Sequence, residues 1–153
     1  MIGWGTKLLA ENPDQRRLVV DDPSLVPNAI EEILRYEPNT LQNCRYAADD
    51  AVIQGQVVPA GSIVATLTPS GNRDEWRFDD PDRFDVRRKI DHHMSFGFGS
   101  HYCLGQALAR LEGRIVLDEF LKRFPEWDVD LESSKFMYHA DSRGFESLPV
   151  ITS

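Results

Sequence analysis

The residue with the clearest chemical potential is Cys103, which lies in the glycine-rich stretch FGFGSHYCLG at residues 96–105. A helical pattern follows directly, so Cys103 is predicted to lie where free backbone N–H groups and the helix dipole favour negative charge. Gly97, Gly99 and Gly105 would let backbone amides turn toward the sulfur and leave room for a flat partner beside it. A thiolate with space beside it suits a metal ligand or a nucleophile. The same residues are equally compatible with a buried structural cysteine and with glycines that merely form a turn.

Other chemistry around Cys103 has less support from the spacing. His92, His93 and His101 could join it in a zinc site, but their spacing matches no usual structural zinc pattern and no second cysteine is nearby. A cysteine–histidine protease pair has no better support. The glycines form neither a Gly-x-Gly-x-x-Gly pattern nor a loop that ends in Lys-Ser or Lys-Thr, which argues against a phosphate-binding loop.

The helix predicted after Cys103 is the clearest element of the sequence. Apolar residues recur along it at helical spacing, and Pro125 ends it. We expect the following residues to form its apolar stripe: Leu104, Leu108, Leu111, Ile115, Val116, Phe120 and Phe124.

Short helices are predicted in the first quarter of the chain. Residues 1–12 are typical of the end of a helix, because no capping residue precedes the apolar run. Pro13 is expected to open a second helix. Ser24 is expected to cap a third helix, which has one apolar face and is stopped by Pro38.

Strand patterns follow these helices. Residues 45–69 contain β-branched runs broken at glycine and proline, which predicts short antiparallel strands. Residues 70–95 have weak periodicity and predict a long irregular segment. Residues 127–151 are typical of a terminal hairpin. The sequence therefore predicts a mainly α fold with small antiparallel β-sheets, an α+β class.

Length, composition and net charge argue against several classes of protein. The 153 residues are about one domain's worth, and 41% of them are hydrophobic. A net charge of −8 argues against a nucleic-acid partner. The longest apolar runs predict no membrane span, and the start of the chain does not resemble a secretory signal. Two cysteines in unlike contexts give little support to a disulfide. We expect a cytoplasmic protein.

The stretch around Cys103 resembles the haem-binding signature of the cytochrome P450 family. The resemblance implies that the chain binds haem b (iron protoporphyrin IX) and that Cys103 is the axial ligand of the iron. A thiolate ligand donates electron density that favours O–O cleavage. The residues that fall where the family expects them are Phe96, Gly97, Gly99, His101, Cys103 and Gly105.

A second motif of the family occurs upstream, in the expected order. Glu32 and Arg35 in EEILR would alone be a common surface pair worth roughly 0.2–0.5 kcal/mol. With the cysteine loop downstream they resemble the family's Glu-x-x-Arg pair. The resemblance implies that Arg83, in DPDRFD, joins them in a buried structural triad behind the haem. Such a triad needs all its partners, because a stranded buried charge is costly.

The resemblance also implies contacts with the rest of the cofactor. Arg45 is expected to pair with one haem propionate and His101 with the other, since arginine can bind a carboxylate bidentately. Phe96 is expected to lie beside the thiolate and keep water from it. The alternative is that Arg45 and His101 are partly exposed polar residues and that Phe96 is a plain core aromatic.

Substrate and redox partner are also implied by the resemblance. The segments NTLQN and HADS would face a small organic substrate, through Leu41, Asn43, Asp141 and Ser142, and their polarity suggests a substrate with polar groups. A local basic cluster near the cysteine loop would steer a ferredoxin-type electron-transfer partner, although a solvated helix face would have the same composition. The cluster consists of Arg87, Arg88, Lys89, Arg110 and Arg114.

The resemblance covers nearly the whole chain but less than half of a complete family member. We expect residues 1–153 to be the C-terminal haem-binding portion of a single domain that begins within the long central helix. The acid–threonine pair that delivers protons in relatives would lie upstream of Met1, so no catalytic residue is expected within the chain. The encoded chemistry is monooxygenation, with little or no turnover expected from this chain alone. The alternatives are a non-catalytic haem-binding or interaction module and a peroxide-using haem-thiolate enzyme.

Overall fold

The computed structural model describes residues 1–152 and confirms the predicted class, helices with small antiparallel sheets. Within these residues, no helix is long and apolar enough to cross a membrane. The helices are α1 (Ile2–Glu11), α2 (Pro13–Asp21), α3 (Val26–Tyr36), α4 (Thr68–Asn72) and α5 (Gln106–Arg123). The strands are β1 (Gln42–Tyr46), β2 (Ala51–Ile53), β3 (Gln56–Val58), β4 (Ile63–Leu67), β5 (Trp127–Val129), β6 (Lys135–Tyr138), β7 (Arg143–Ser147) and β8 (Val150–Thr152).

The start of α3 differs from the prediction. Ser24 does not cap α3. Asp22 caps a three-ten turn at Pro23–Leu25, and Leu25 occupies the N-cap position of α3 without a side-chain hydrogen bond. Its Oδ1 accepts hydrogen bonds from the Ser24 N–H at 3.1 Å and from the Ser24 hydroxyl at 2.6 Å. Asp22 takes this role because one carboxylate oxygen satisfies both donors, and α3 then begins at Val26.

The core lies where α1, α3 and α5 pack together. Gly113 of α5 is at the contact with α3, and a Cβ there would lie 3.0 Å from the Ile30 Cδ1. The absence of a side chain at Gly113 therefore allows the two helices to approach closely. Buried apolar residues of the three helices include Leu8, Leu9, Ala29, Ile30, Ile33, Leu117 and Leu121.

The apolar stripe predicted on α5 is mostly not the side of the helix that packs against the core. The buried residues of this helix are Gly113, Leu117 and Leu121. Phe120 packs partly against the core, but most of the predicted stripe faces outward. The helix carries apolar residues on two sides, and the spacing does not distinguish the packed side from the other. The outward-facing residues are Leu104 (101% exposed), Leu108 (59%), Leu111 (54%), Ile115 (55%), Val116 (39%) and Phe124 (37%).

The central strands agree with the prediction of antiparallel pairing. β1 pairs with β4, so that Asn43 lies opposite Thr66. β2 and β3 form a tight hairpin whose turn residues, Gln54 and Gly55, have φ values of 50° and 79°. Two residues with positive φ are what a two-residue hairpin turn of this hand requires.

The irregular segment and the terminal hairpin also have counterparts in the structure. After α4, the described stretch from residue 73 to residue 93 contains no helix or strand. The terminal hairpin is a nested arrangement in which β6 pairs with β7 and β5 pairs with β8. Trp127 joins it to the core, because its indole N–H donates to the Thr6 carbonyl at 3.1 Å.

Candidate functional site

The cysteine loop, residues 94–105, presents Cys103 at the surface just before α5. It contains three-ten turns at Met94–Phe96 and Gly99–His101. The Cys103 N–H donates to the Phe96 carbonyl at 2.9 Å, which closes the loop on itself. Cys103 is exposed, and α5 begins at Gln106. The cysteine is therefore held by the backbone while its side chain is left accessible.

Glycines shape this loop through backbone angles and through missing side chains. Gly97 and Gly99 have φ values of 74° and 72°, a region in which L side chains are strained. A Cβ at Gly105 would lie 4.0 Å from the Cys103 Sγ. Glycine at this position therefore keeps the space beside the sulfur open, which a flat ligand would need.

Arg45 shares a cleft with the cysteine loop. Its exposed guanidinium donates to the Cys44 carbonyl at 2.9 Å. His101 is exposed at the end of the second three-ten turn, whereas Phe96 is half-buried and packs against the core. The cleft has a volume of about 330 Å³ and is lined by Asn43, Arg45, Thr66, Leu67, Thr68, Gly71, Met94, Gly97 and Phe98.

The two segments expected to face a substrate lie side by side. The Leu41 N–H donates to the Asp141 carbonyl at 2.7 Å, and Thr40 forms an antiparallel bridge with Ser142. Asn43 lies two residues further along and lines the cleft next to the cysteine loop. Segments about 100 residues apart in sequence are thus joined at one end of β1.

The Glu32–Arg35 pair lies in the buried interior. The Arg35 Nε lies 2.6 Å from the Glu32 Oε2, and its Nη2 lies 2.8 Å from the Oε1, so the contact is bidentate. Both side chains are fully buried. The Arg35 Nη1 also donates to the carbonyls of Asn72 and Pro81, at 2.8 and 2.9 Å. The pair therefore ties α3 to α4 and to the irregular segment.

The third member of this group is Arg88, so the prediction for the Arg83 side chain is wrong. The Arg88 Nε lies 3.3 Å from the Glu32 Oε1, and its side chain is 10% exposed. The Arg83 side chain is 61% exposed and lies 3.9 Å from Asp85, while its carbonyl accepts hydrogen bonds from Arg35 and Arg88. The reason is the turn after Asp85. The Asp85 N–H donates to Glu32 and the Arg88 N–H donates to the Asp85 carbonyl, which brings Arg88 back toward Glu32.

The predicted basic cluster is smaller than the sequence suggests, because two of its members are paired internally. Arg88 belongs to the buried group just described. Arg110 binds Glu31 bidentately, at 2.6 and 2.8 Å. The members that remain exposed are Arg87, Lys89 and Arg114.

Glu31, His93 and Arg110 form a second cluster of polar and charged side chains that the sequence does not predict. The His93 Nε2 lies 3.1 Å from the Glu31 Oε2, and His93 is buried. Burial alone would raise the pKa of Glu31, but the hydrogen bonds with His93 and Arg110 outweigh it and lower the pKa to about 2. The three residues come from distant segments, so no local spacing connects them.

The structure does not arrange the three histidines and Cys103 as ligands of a zinc site. His93 is engaged with Glu31, and the His92 ring packs against the Phe98 ring with centroids 5.4 Å apart. Across residues 1–152, no group of three or more His, Cys, Asp or Glu side chains is arranged to hold a metal ion.

Sequence comparisons agree with the resemblance carried by the cysteine loop. The family model described as cytochrome P450 matches residues 20–147, which include the cysteine loop. The chain is 42% identical over 152 residues to 6-deoxyerythronolide B hydroxylase of Saccharopolyspora erythraea, covering 98% of this chain and 38% of that protein. It is 39% identical over 152 residues to the steroid C26-monooxygenase of Mycobacterium tuberculosis, covering 98% and 41%.

Solved structures agree with the sequence relatives. The tirandamycin C-bound P450 monooxygenase TamI matches with a TM-score of 0.93 and 39% identity, over 99% of this chain and 39% of that one. P450BioI, solved with an acyl carrier protein carrying hexadec-9Z-enoic acid, matches with a TM-score of 0.94 and 36% identity, over 99% and 40%. The chain thus spans about two fifths of the length of these relatives. On this combination of sequence motif, backbone geometry and whole-chain similarity, the chain belongs to the cytochrome P450 family.

Proposed function

We propose that residues 1–153 are the C-terminal haem-binding portion of a haem-thiolate monooxygenase, with Cys103 as the axial ligand of haem b iron. The observation that carries this proposal is the open space at Cys103. The residue is exposed, its backbone is held by Phe96, and Gly105 adds no Cβ beside the sulfur. These residues fit a flat macrocycle ligated by one thiolate, and membership of the family supports the same assignment.

When bound, the cofactor would supply O₂ activation, in which one oxygen atom would enter an organic substrate and the other would leave as water, with two electrons and two protons consumed. The residues of this chain bind and orient. Arg45 and His101 offer cationic or hydrogen-bonding groups to the haem propionates. Phe96 would lie beside the Cys103 thiolate and help to keep water from it.

The substrate of the complete protein is a small organic molecule. Leu41, Asn43, Asp141 and Ser142 contribute to the wall that faces it, on the side of β1 joined to the segment between β6 and β7. Amide, carboxylate and hydroxyl groups in this wall would hydrogen-bond polar groups of the substrate. The names of two of the relatives refer to 6-deoxyerythronolide B and to a steroid, and neither substrate is assigned to this chain.

A ferredoxin-type protein is the proposed electron donor. Arg87, Lys89 and Arg114 are exposed, and they provide local positive charge in a chain with a net charge of −8. Such charge steers an acidic partner, and the effect weakens as salt screens it. Arg88 and Arg110 contribute less than the sequence suggests, because their charges are paired inside the protein.

A non-catalytic haem-binding or interaction module is the second candidate. The outward-facing stripe of α5 favours it, because Leu108, Leu111 and Ile115 form an apolar surface that suits contact with another polypeptide. Under this candidate the chain binds haem or a protein partner without turning over a substrate.

The test is the absorption spectrum of the chain mixed with haem, reduced and exposed to CO. A thiolate-type Soret band is expected for the unaltered chain and for Cys44→Ala, which removes the other cysteine. The band should disappear in Cys103→Ala. Identical spectra for the unaltered chain and Cys103→Ala would refute the assignment of Cys103. Turnover of a substrate by the same preparation with a ferredoxin and its reductase would exclude the non-catalytic module. Little or no turnover is expected from this chain alone under either candidate.

A further inference from the structure

We propose that Glu31 is a positioning residue for the cysteine loop: through His93 and Arg110 it holds Phe96, and Phe96 in turn holds Cys103. The role of Cys103 as haem ligand rests on the function proposed above. The positioning itself is a property of the protein and can be measured without haem.

The first connection between Glu31 and the cysteine loop runs through His93. Its ring is buried, and its Nδ1 accepts the Ser95 N–H at 3.2 Å. In the neutral ring the proton therefore lies on Nε2, which donates to the Glu31 Oε2 at 3.1 Å. Glu31 thus fixes both the tautomer and the orientation of the ring. The ring in turn holds the three-ten turn Met94–Phe96 at the start of the cysteine loop.

The second connection runs through Arg110, which lies on α5. Its guanidinium binds both carboxylate oxygens of Glu31, and its Cζ lies 4.7 Å from the centroid of the Phe96 ring. The His93 ring centroid lies 5.7 Å from the same ring. Both partners of Glu31 therefore pack against one aromatic side chain. Arg110 also donates to the Tyr102 hydroxyl at 3.4 Å, next to Cys103 in the chain.

Phe96 connects the cluster to Cys103. The carbonyl of Phe96 accepts the Cys103 N–H at 2.9 Å, so a shift of Phe96 moves the group that holds the cysteine backbone. The Glu31 carboxylate can control this shift because it binds both side chains that pack against Phe96. Arg110 contacts both of its oxygens and His93 contacts Oε2, while the Glu31 side chain is only 22% exposed. Loss of its charge would leave Arg110 without its ion-pair partner.

The first experiment compares Glu31→Gln with Glu119→Gln by amide hydrogen exchange in the chain without haem. Glu119 is a matched control, since it pairs with Lys122 and Arg123 on the exposed side of α5. In Glu31→Gln, the Ser95 and Cys103 amides should exchange about tenfold faster or more, while the β1–β4 pairing keeps its protection. Glu119→Gln should leave the loop unchanged.

His93→Asn is the second variant, and it keeps the proposal testable if Glu31→Gln destabilises the whole fold. The Asn Oδ1 can take the place of Nδ1 as acceptor for Ser95, but the shorter side chain loses the contact with Glu31. This variant should reproduce the faster exchange at Cys103, and the double variant should exchange no faster than either single variant. Unchanged loop exchange, a uniform increase across the protein in both variants, or additive effects would overturn the proposal.

A spectroscopic readout separates this proposal from the assignment of the haem ligand. In the reduced CO complex, Glu31→Gln should show a smaller share of the thiolate-type Soret band than Glu119→Gln does. An equal share in the two variants would count against the positioning role. Absence of the band in the unaltered chain would instead refute the haem assignment, and the exchange experiment would still decide the role of Glu31.

Discussion

At the residue scale, the buried carboxylate of Glu32 determines which arginines matter for stability. Arg88 donates to Glu32 and to backbone carbonyls, whereas the Arg83 side chain reaches a carboxylate at 3.9 Å and is mostly solvated. Arg88→Ala should lower the free energy of unfolding by about 2–3 kcal/mol, because a hydrogen-bonded charge is removed from a buried partner. Arg83→Ala should lower it by less than about 1 kcal/mol.

Urea denaturation of these two variants at neutral pH measures the difference. The comparison is well matched, because both changes remove an arginine from the same irregular segment. A loss for Arg83→Ala equal to or larger than that for Arg88→Ala would contradict the contacts of this group.

Glu31 should make stability depend on pH in the acid range. Its pKa is lowered from 4.5 to about 2, so the unfolded chain takes up this proton more readily than the folded protein. The contribution of the carboxylate is therefore fully present above pH 4.5 and is lost as the pH falls toward 2. The difference in unfolding free energy between the unaltered chain and Glu31→Gln should shrink over that range. Denaturation curves at several pH values test this, and a constant difference would contradict it.

At the scale of the element, α5 has two apolar sides with different consequences. Leu117 is 8% exposed within the core, whereas Leu111 is 54% exposed on the opposite stripe. Leu117→Ala should cost about 2–4 kcal/mol through lost burial and a residual cavity. Leu111→Ala should cost less than about 1 kcal/mol, because little area is removed from contact with other residues.

Thermal and urea unfolding of the two alanine variants provide the measurement. The same substitution on the same helix controls for helix propensity, so the difference reports packing alone. Equal losses would mean that the outward-facing stripe is packed as tightly as the core face.

At the scale of the whole molecule, exposed apolar side chains form a stripe that begins just before α5 and runs along the first half of this helix. Leu104, Leu108, Leu111 and Ile115 are each more than half exposed and follow one another at helical spacing. Monomeric proteins rarely leave such a surface uncovered. The chain alone should therefore self-associate, and its weight-average mass in sedimentation velocity should rise with concentration.

Polar substitution of the stripe tests this expectation. Glutamine at all four positions should suppress the association and leave helical circular dichroism unchanged. Glutamine at Val52 and Val57, which are also exposed but lie on the β2–β3 hairpin, serves as the control and should leave association intact. A chain that stays monomeric at every concentration would contradict the prediction.

The sequence by itself determined the fold class, the family resemblance and the location of the cysteine loop. Each depends on local information, because helical spacing, turn residues and a ten-residue motif are properties of neighbours along the chain. The strands between residues 45 and 69 and the terminal pairing were predictable for the same reason.

The tertiary structure decided the contacts between distant segments. It determined that Arg88 and not Arg83 reaches Glu32, since the turn after Asp85 sets which side chain points inward. It determined which apolar side of α5 is buried, because both sides have helical spacing and packing against α3 chooses between them. It also assembled Glu31, His93 and Arg110, which are 62 and 79 residues apart from Glu31 along the chain. The spacing of residues along the chain indicates helices, strands and the order of motifs. Whether residues far apart in sequence come into contact depends on how the helices and strands pack.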